Sequence, residues 1–410
     1  MPEFLSLVSP EAALSLLFSH IEPILSNEEI ATEEALGRIT AEDIISPQDL
    51  PEFRRSTVDG YALKAGDSHG ASESLPAYLK LSGEVLMGAG PEFDLVSKEC
   101  ALIHTGGMLP ENATAVVMLE DTQALEAGEV EIFRSVAEGE NVIEIGEDVR
   151  KGGIVINRGT RLRPADIGGL LALGITKINT VTPPKFGIIS SGDEVIPPDQ
   201  KPKPGEVRDI NSYTLGALIS ELGAEAIHYG IIPDNREDLR KIFKIGLGEC
   251  DHLIVTAGSS ASSRDLTADI MNELGDPGVL VHGVSIKPGK PTIFALAGPK
   301  VMIGLPGNPV SALVIAYILV KPIIQAYQGL EKRKISPSIP AKLTMNVPSL
   351  AGREDWIPVS LINEKGIFKA EPIFGRSNLI FLLAKADGLV KIPSATTGLE
   401  AGAAVSVRLF

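Results

Sequence analysis

The sequence predicts a multidomain α/β plus β protein, its centre a mostly parallel sheet covered by helices, with β-rich parts on either side. Three observations carry this. The chain has 410 residues, enough for about three domains at roughly 150 residues each. Strand-like and helix-like runs alternate from Lys185 to about Tyr327, the pattern of a parallel sheet with helices on both faces. The texture of the sequence also changes near Pro47, Gly146 and Lys334.

The first element is a helix, with Ser9 as N-cap, Pro10 at the first helical position, and Ala13, Leu16, Leu17 and Ile21 at helical spacing. After Pro47 come short β-like runs, Ala77–Leu81, Ala101–His104, Ala115–Leu119 and Val130–Phe133, broken by Gly and Pro. Thr57 to Ala62 reads as a turn with Asp59-Gly60 at its apex, leading into a strand. Arg163-Pro164-Ala165-Asp166 opens a short helix that runs through Leu173 and ends at Gly174.

In the central region the predicted strands are Phe186–Ile189, Ala226–Ile231, His252–Thr256, Val279–Val284 and Val301–Ile303. The helices are Asn211–Leu222, Arg236–Ile245, Leu266–Leu274 and Val310–Tyr327. The apolar run Ala312 to Val320 lies between Pro309 and Pro322 and falls short of the ~20 residues of a membrane span, so it predicts a buried helix. Beyond Lys334, strands spaced by Gly, Pro and Ser predict a small β domain.

Composition narrows the function. With 37 Lys+Arg against 53 Asp+Glu the net charge is −16, which excludes a broad surface for duplex nucleic acid. One locally positive pocket for a small anion remains compatible with it. A hydrophobic fraction of 44% and a charged fraction of 22% are globular values. Two cysteines, Cys100 and Cys250, make no disulfide framework, and the six histidines are scattered. Met1 to Leu7 has no basic stretch before an apolar core, and Asn112-Ala113-Thr114 is a sequon without that context. The expectation is a cytoplasmic protein with no membrane partner.

In open α/β sheets ligands bind beyond the carboxyl ends of the strands. Three loops occupy those places: Ser190-Ser191-Gly192-Asp193-Glu194, Ala257 to Asp265, and Gly304-Leu305-Pro306-Gly307-Asn308-Pro309. Their small residues let backbone N–H groups approach a ligand, and the last two loops lead into helix N-termini suited to anions. Asn308-Pro309 looks like an N-cap followed by proline. Asp193, Glu194 and Asp265 would repel a phosphate unless a divalent cation such as Mg²⁺ bridged them.

Ser191 lacks the G-x-S-x-G elbow of a hydrolase nucleophile. Gly283 to Lys290 imitates a P-loop, but its glycines are wrongly spaced and Pro291 replaces the Ser/Thr. Lys287 and Lys290 are either two solvated lysines or two cations in a stiff loop. Outside the central region, Asp59, the His104-Thr105-Gly106-Gly107 loop and Gly146-Glu147-Asp148 stand out.

Taken in order, D-G-Y-A (Asp59–Ala62), T-G (Thr105), G-E-D (Gly146–Asp148), S-G-D-E (Ser191–Glu194), the G-S-S…R-D loop (Gly258–Asp265), K-P-G-K-P (Lys287–Pro291) and G-L-P-G-N-P-V-S (Gly304–Ser311) resemble the molybdopterin molybdenumtransferase family. That family includes MoeA and the E domain of gephyrin, and the match covers essentially the whole chain. The resemblance implies a four-part subunit in a homodimer. Its parts are a discontinuous N-terminal helical domain (1–45 and 143–178), an inserted β-rich domain (46–142), a three-layer α/β domain (179–328) and a C-terminal β-barrel-like domain (329–410).

It further implies insertion of molybdate or tungstate into adenylylated molybdopterin, with release of AMP and help from Mg²⁺. The implied metal residues are Asp193, Glu194 and Asp265. The implied catalytic residues are Asp59, Thr105, Asp148, Glu194 and Asp265, with Asp59 and Thr105 facing the partner subunit. Ser191, Gly192, Gly258, Ser259, Ser260, Pro306, Gly307, Asn308 and Pro309 would hold the pterin nucleotide; Lys287, Lys290 and Ser377 would take the oxyanion. The adenylyltransferase of the same pathway is the implied protein partner. Two positions depart from the family pattern: Ser262 where a glycine is usual, and Ile143-Glu144-Ile145 where arginines are frequent. The competing readings are a catalytically weak binding protein or scaffold and the adenylyltransferase itself; the extra domains argue against the latter.

Overall fold

The computed structural model describes residues 7–257, 261–330 and 337–410. The chain opens with the helix Pro10–His20, begun where expected: Ser9 Oγ accepts from the Ala12 N–H at 3.1 Å. Of the four residues at helical spacing, Ala13 and Leu17 are fully buried and Leu16 and Ile21 half-buried, and they pack against the core of the central α/β domain. The strand Asn27–Ala31 instead pairs, antiparallel along its length, with Lys177–Val181, and Ile44–Ile45 pairs with Ile154–Ile156. Segments on both sides of the inserted sheet therefore close around one small core of Ala35, Ile156, Leu162, Leu170 and Ile178. The helix Pro164–Ala172 in this part starts with the Asp166 carboxylate accepting from the Arg163 N–H and ends at Gly174, φ +72°.

The inserted part is a six-stranded sheet in the order 115–118, 60–63, 99–103, 77–85, 129–132, 122–124. Alternate side chains enter two cores: Tyr61 and Leu63 on one face, Ala62 and Val116 on the other.

The strands of the central domain are β1 (Lys185–Ser191), β2 (Glu225–Ile232), β3 (His252–Ala257), β4 (Pro277–His282), β5 (Ile293–Ala297) and β6 (Lys300–Pro306). They lie in the order β2-β1-β3-β6-β5-β4, with the first three pairings parallel and the last two antiparallel. Ile188, Ile254 and Ile303 face one core, while Ile189, Val255 and Met302 face the other. That two-sided burial is why these strands read as continuous apolar runs. β5 was not among the predicted strands; it forms a hairpin with β6 through Gly298, φ +60°, and so breaks the strand–helix alternation.

The order 2-1-3 puts a switch point between β1 and β3, where ligands of such sheets bind. The predicted buried helix spans Pro309–Tyr327, with a wide π-turn over 316–320 just before Pro322, whose ring excludes an ordinary helical partner. Among the described residues it is the one helix long and apolar enough to cross a membrane, and 67% of its most apolar 18-residue stretch is buried inside the protein.

Near the C-terminus, strands 354–364, 367–372, 338–343, 404–409 and 388–392 pair in sequence, and the last pairs back to the first, closing a five-stranded barrel. One pairing positions the site. Ile286–Lys287, from the central domain, adds in parallel to Glu354–Asp355 at the barrel edge. The first lysine of K-P-G-K-P is thus stitched between two domains.

Candidate functional site

At the carboxyl ends of β1 and β2, short polar contacts draw several loops together. Ser191 Oγ donates to the Asp234 carboxylate, and the Asp234 N–H donates to Asp193 Oδ1 at 3.2 Å. Beneath them Asp209, only 6% exposed, accepts from Ser190 Oγ at 2.7 Å and from Ser212 Oγ at 2.5 Å. Ser190 Oγ also lies 3.4 Å from Thr256 Oγ1 at the end of β3, so the switch point is bridged. Asn211 Nδ2 donates to Gly307 O at 2.8 Å, while its buried Oδ1 has no hydrogen-bond partner in the structure.

The loop after β6 starts the helix at Pro309, as the sequence predicts, with the Asn308 carbonyl accepting from Ala312 N at 2.9 Å. The Asn308 side chain makes no capping bond, which leaves its amide available to another partner. Val310 N donates to Ser377 O at 3.0 Å, joining this helix start to the barrel.

Beside that junction lies a cleft of about 750 Å³ between the central domain and the barrel. Lys287, Lys290, Arg353, Arg376 and Ser377 line it, together with Ser311 and Trp356. Asp355, fully buried, holds Arg353 at 2.9 Å and Lys287 at 3.9 Å. Four cations line this cleft against the one buried carboxylate of Asp355, which gives a local positive field on an acidic chain. A small oxyanion fits the donors: an Arg fork, two ammonium groups and a hydroxyl.

A third cluster belongs to the inserted sheet. Asp59 Oδ1 accepts from Thr105 N at 2.8 Å and from Thr105 Oγ1 at 3.3 Å. Those hydrogen bonds, the backbone one foremost, hold the Asp59 carboxyl below the usual range. His104 Nδ1 is 3.6 Å from the same oxygen, and His104 Nε2 is 3.0 Å from Glu84 Oε1. Glu84 first, then Asp59, raises the His104 pKa.

Three family models cover most of the chain: "MoeA N-terminal region (domain I and II)" over residues 8–174, "Probable molybdopterin binding domain" over 187–326, and "MoeA C-terminal region (domain IV)" over 340–410. A molybdopterin molybdenumtransferase of Haemophilus influenzae is 34% identical across 93% of this chain and 94% of its own. The chain belongs to the MoeA family. A Bacillus subtilis molybdopterin molybdenumtransferase is 32% identical across 95% of this chain and 91% of its own. A MoeA crystal structure from Pyrococcus horikoshii OT3 matches with a TM-score of 0.86 and 31% identity, covering 99% of this chain and 100% of that one.

Within this MoeA fold, the residues singled out from sequence fall into separate groups. Lys287, Lys290 and Ser377 share the cleft, and Pro306 to Pro309 lead into the helix that borders it. Ser191, Gly192, Asp193 and Glu194 sit together at the end of β1. A Cβ on Gly192 (φ +150°) would come within 2.8 Å of Val195 and 2.9 Å of Glu194. Gly258, Ser259 and Ser260 lie outside the described residues. Asp265 and Ser262 fall in the helix Ala261–Leu274, with their side chains outside the described set. Asp59 and Thr105 form a bonded pair; exposed Asp148 is held through its own backbone, donating to Leu50 O at 3.1 Å. Opposite Ile143, where arginines were sought, stands Arg55 in a two-residue ladder.

Asp209, Asn211, Asp234, Arg353 and Arg376 join these groups without having been singled out. Asp234 follows β2 as Asp193 follows β1, the position after a strand that marked the other loops; its Pro-Asp-Asn setting reads as an ordinary turn. For Mg²⁺ the donors are suitable hard oxygens. Among the described residues no three His, Cys, Asp or Glu converge to hold a metal ion by themselves. One or two carboxylates completed by phosphate oxygens and water is how Mg²⁺ is usually held, so the residues fit it.

Proposed function

We propose that this chain inserts molybdate, or tungstate, into adenylylated molybdopterin and releases AMP, as a Mg²⁺-dependent cytoplasmic homodimer. The observation that carries it is the four-cation cleft abutting the start of the helix at Pro309, joined to it through Val310 N and Ser377 O. An oxyanion held by Lys287, Lys290, Arg353 and Ser377 would lie beside the backbone N–H groups that receive the pterin nucleotide's phosphates. Gly192 and Gly307 offer close backbone approach there, and Gly258, Ser259 and Ser260, outside the described residues, would be further holders of the nucleotide. Asp193, Glu194 and Asp265 would hold Mg²⁺, which supplies neutralisation of the developing phosphate charge. Asp234, beside Asp193, would orient the attacking oxygen.

Asp59, Thr105 and Asp148 would complete the site from the other domains across the dimer. The domains divide at 1–45 with 143–178, 46–142, 179–328 and 329–410. The adenylyltransferase that makes the substrate would be the protein partner handing it over.

The test is AMP release from adenylylated molybdopterin with Mg²⁺, with and without molybdate or tungstate. Oxyanion-dependent release with active cofactor formed supports the reading. Tight binding without release would make the chain a binding protein instead. In the same assay Lys290→Ala is expected to raise the half-saturating oxyanion concentration about tenfold, the loss of one hydrogen bond to a charged group. Lys290 is exposed, so the melting temperature should not move.

A further inference from the structure

The imidazole of His104 stands between two carboxylates, and the reaction as proposed gives one of them work while leaving the histidine and Glu84 none. Asp59 Oδ1 accepts from Thr105 N and Thr105 Oγ1, and the His104 ring approaches the same oxygen to 3.6 Å. Its second oxygen takes part in none of these contacts. Glu84, on the strand Ala77–Val85, touches the far nitrogen of the ring at 3.0 Å. We propose that His104, held as an imidazolium between Glu84 and Asp59, is a positioning residue that fixes the Asp59 carboxylate for the reaction. This rests on the proposed function in one respect, the role of Asp59.

The geometry sets out the division of labour. An imidazolium has two N–H donors, and the two carboxylates face one each. Neutral imidazole has a single donor, so loss of the proton forfeits one of the two contacts. The 3.0 Å contact to Glu84 keeps the donor by geometry, and the 3.6 Å approach to Asp59 is the one given up. The charged groups facing His104 are Asp59, from the loop before the strand Gly60–Leu63, and Glu84, from the strand Ala77–Val85. Both favour the proton, which agrees with the raised pKa of the ring. A group raised above its ordinary value is charged below that value and loses its charge as pH rises through the folded one. The hold on Asp59 is therefore present on the acid side and is lost as pH rises through the ring's raised pKa. All three groups are partly open to solvent, so the effect is modest in size and read best as a pH profile.

The test uses the full-length protein and the AMP-release assay, with His104→Gln and Glu84→Gln. His104→Gln is expected to lower kcat/KM about threefold at the acid end, where the ring is charged, and to approach wild type at the alkaline end. Glu84→Gln touches only the far side of the ring. It should leave the acid-end rate near wild type and move the alkaline limb to lower pH, because the larger cause of the raised pKa is gone. Titration of the ring by ¹H–¹⁵N NMR in both proteins reads the same shift without turnover. A lower ring pKa in Glu84→Gln with no movement of the activity limb would overturn the positioning role and leave the transferase reading standing. No oxyanion-dependent AMP release from wild type would overturn the transferase reading and the positioning role with it, while the NMR titration would still show whether the carboxylates hold the proton.

Discussion

Asp234→Asn is expected to lower AMP release about a hundredfold while leaving the fold in place. Asparagine keeps the size of the side chain and an acceptor for Ser191 Oγ, and the backbone N–H that reaches Asp193 at 3.2 Å is untouched. What disappears is the negative charge of Asp234 beside Asp193, at the carboxyl ends of β1 and β2. A carboxylate there can orient an attacking oxygen, and loss of such a group costs on the order of 10²–10⁴ in rate. The check is kcat/KM with Mg²⁺ beside the melting temperature; activity within threefold of wild type would remove Asp234 from the machinery.

Asp209 gives the contrast. It is nearly buried and accepts from two hydroxyls and the Ser212 N–H. Asp209→Ala strands those donors and is expected to cost about 3 kcal/mol of stability, read as a lowered melting temperature. The two acids thus separate chemistry from scaffold.

How far the sequence alone reaches follows from what its pattern can encode. Central strands were legible because burial on both faces makes them continuous apolar runs between amphipathic helices. β5 was not, since a hairpin partner carries no helix to announce it. The periodicity of Pro10–His20 identified its buried face but not what covers it; only folding shows Ala13 and Leu17 in the central core. At the site, glycine-rich loops after strands were readable as a class. Arg353 was unreadable: its role depends on the barrel edge pairing with Ile286–Lys287, some 70 residues earlier in the chain. The sequence also left open whether Lys287 and Lys290 were solvated surface groups; both are exposed, and Lys287 lies 3.9 Å from the buried Asp355 at the cleft wall.

Gly60 joins fold and site most directly. In sequence Asp59-Gly60 is a turn apex; in the structure Gly60 is the first residue of a strand held between two others. A Cβ at Gly60 would lie 1.9 Å from Val117 O and 2.8 Å from its carbonyl carbon, so the neighbouring backbone itself leaves no room. Gly60→Ala must push the strand 115–118 away, and overpacking of this kind costs about 3 kcal/mol. The same displacement pulls on Asp59, whose carbonyl accepts from Leu119 N at 3.1 Å and whose carboxylate is bonded to Thr105. Lower stability of the inserted sheet and lower activity should therefore appear together.

The readout has to report on that sheet. The single tryptophan, Trp356, is in the barrel, so amide hydrogen exchange over 60–63 and 115–118 is the measurement, supported by calorimetry of a chain too large for one transition. Gly66→Ala, where a Cβ meets nothing within 4 Å, serves as the neighbouring control and is expected to stay within about 0.5 kcal/mol of wild type. If Gly60→Ala exchanges like Gly66→Ala, the close approach of these strands does not constrain the position. If it loses protection and activity together, the glycine of D-G-Y-A is there to bring two backbones close enough to hold Asp59 in place.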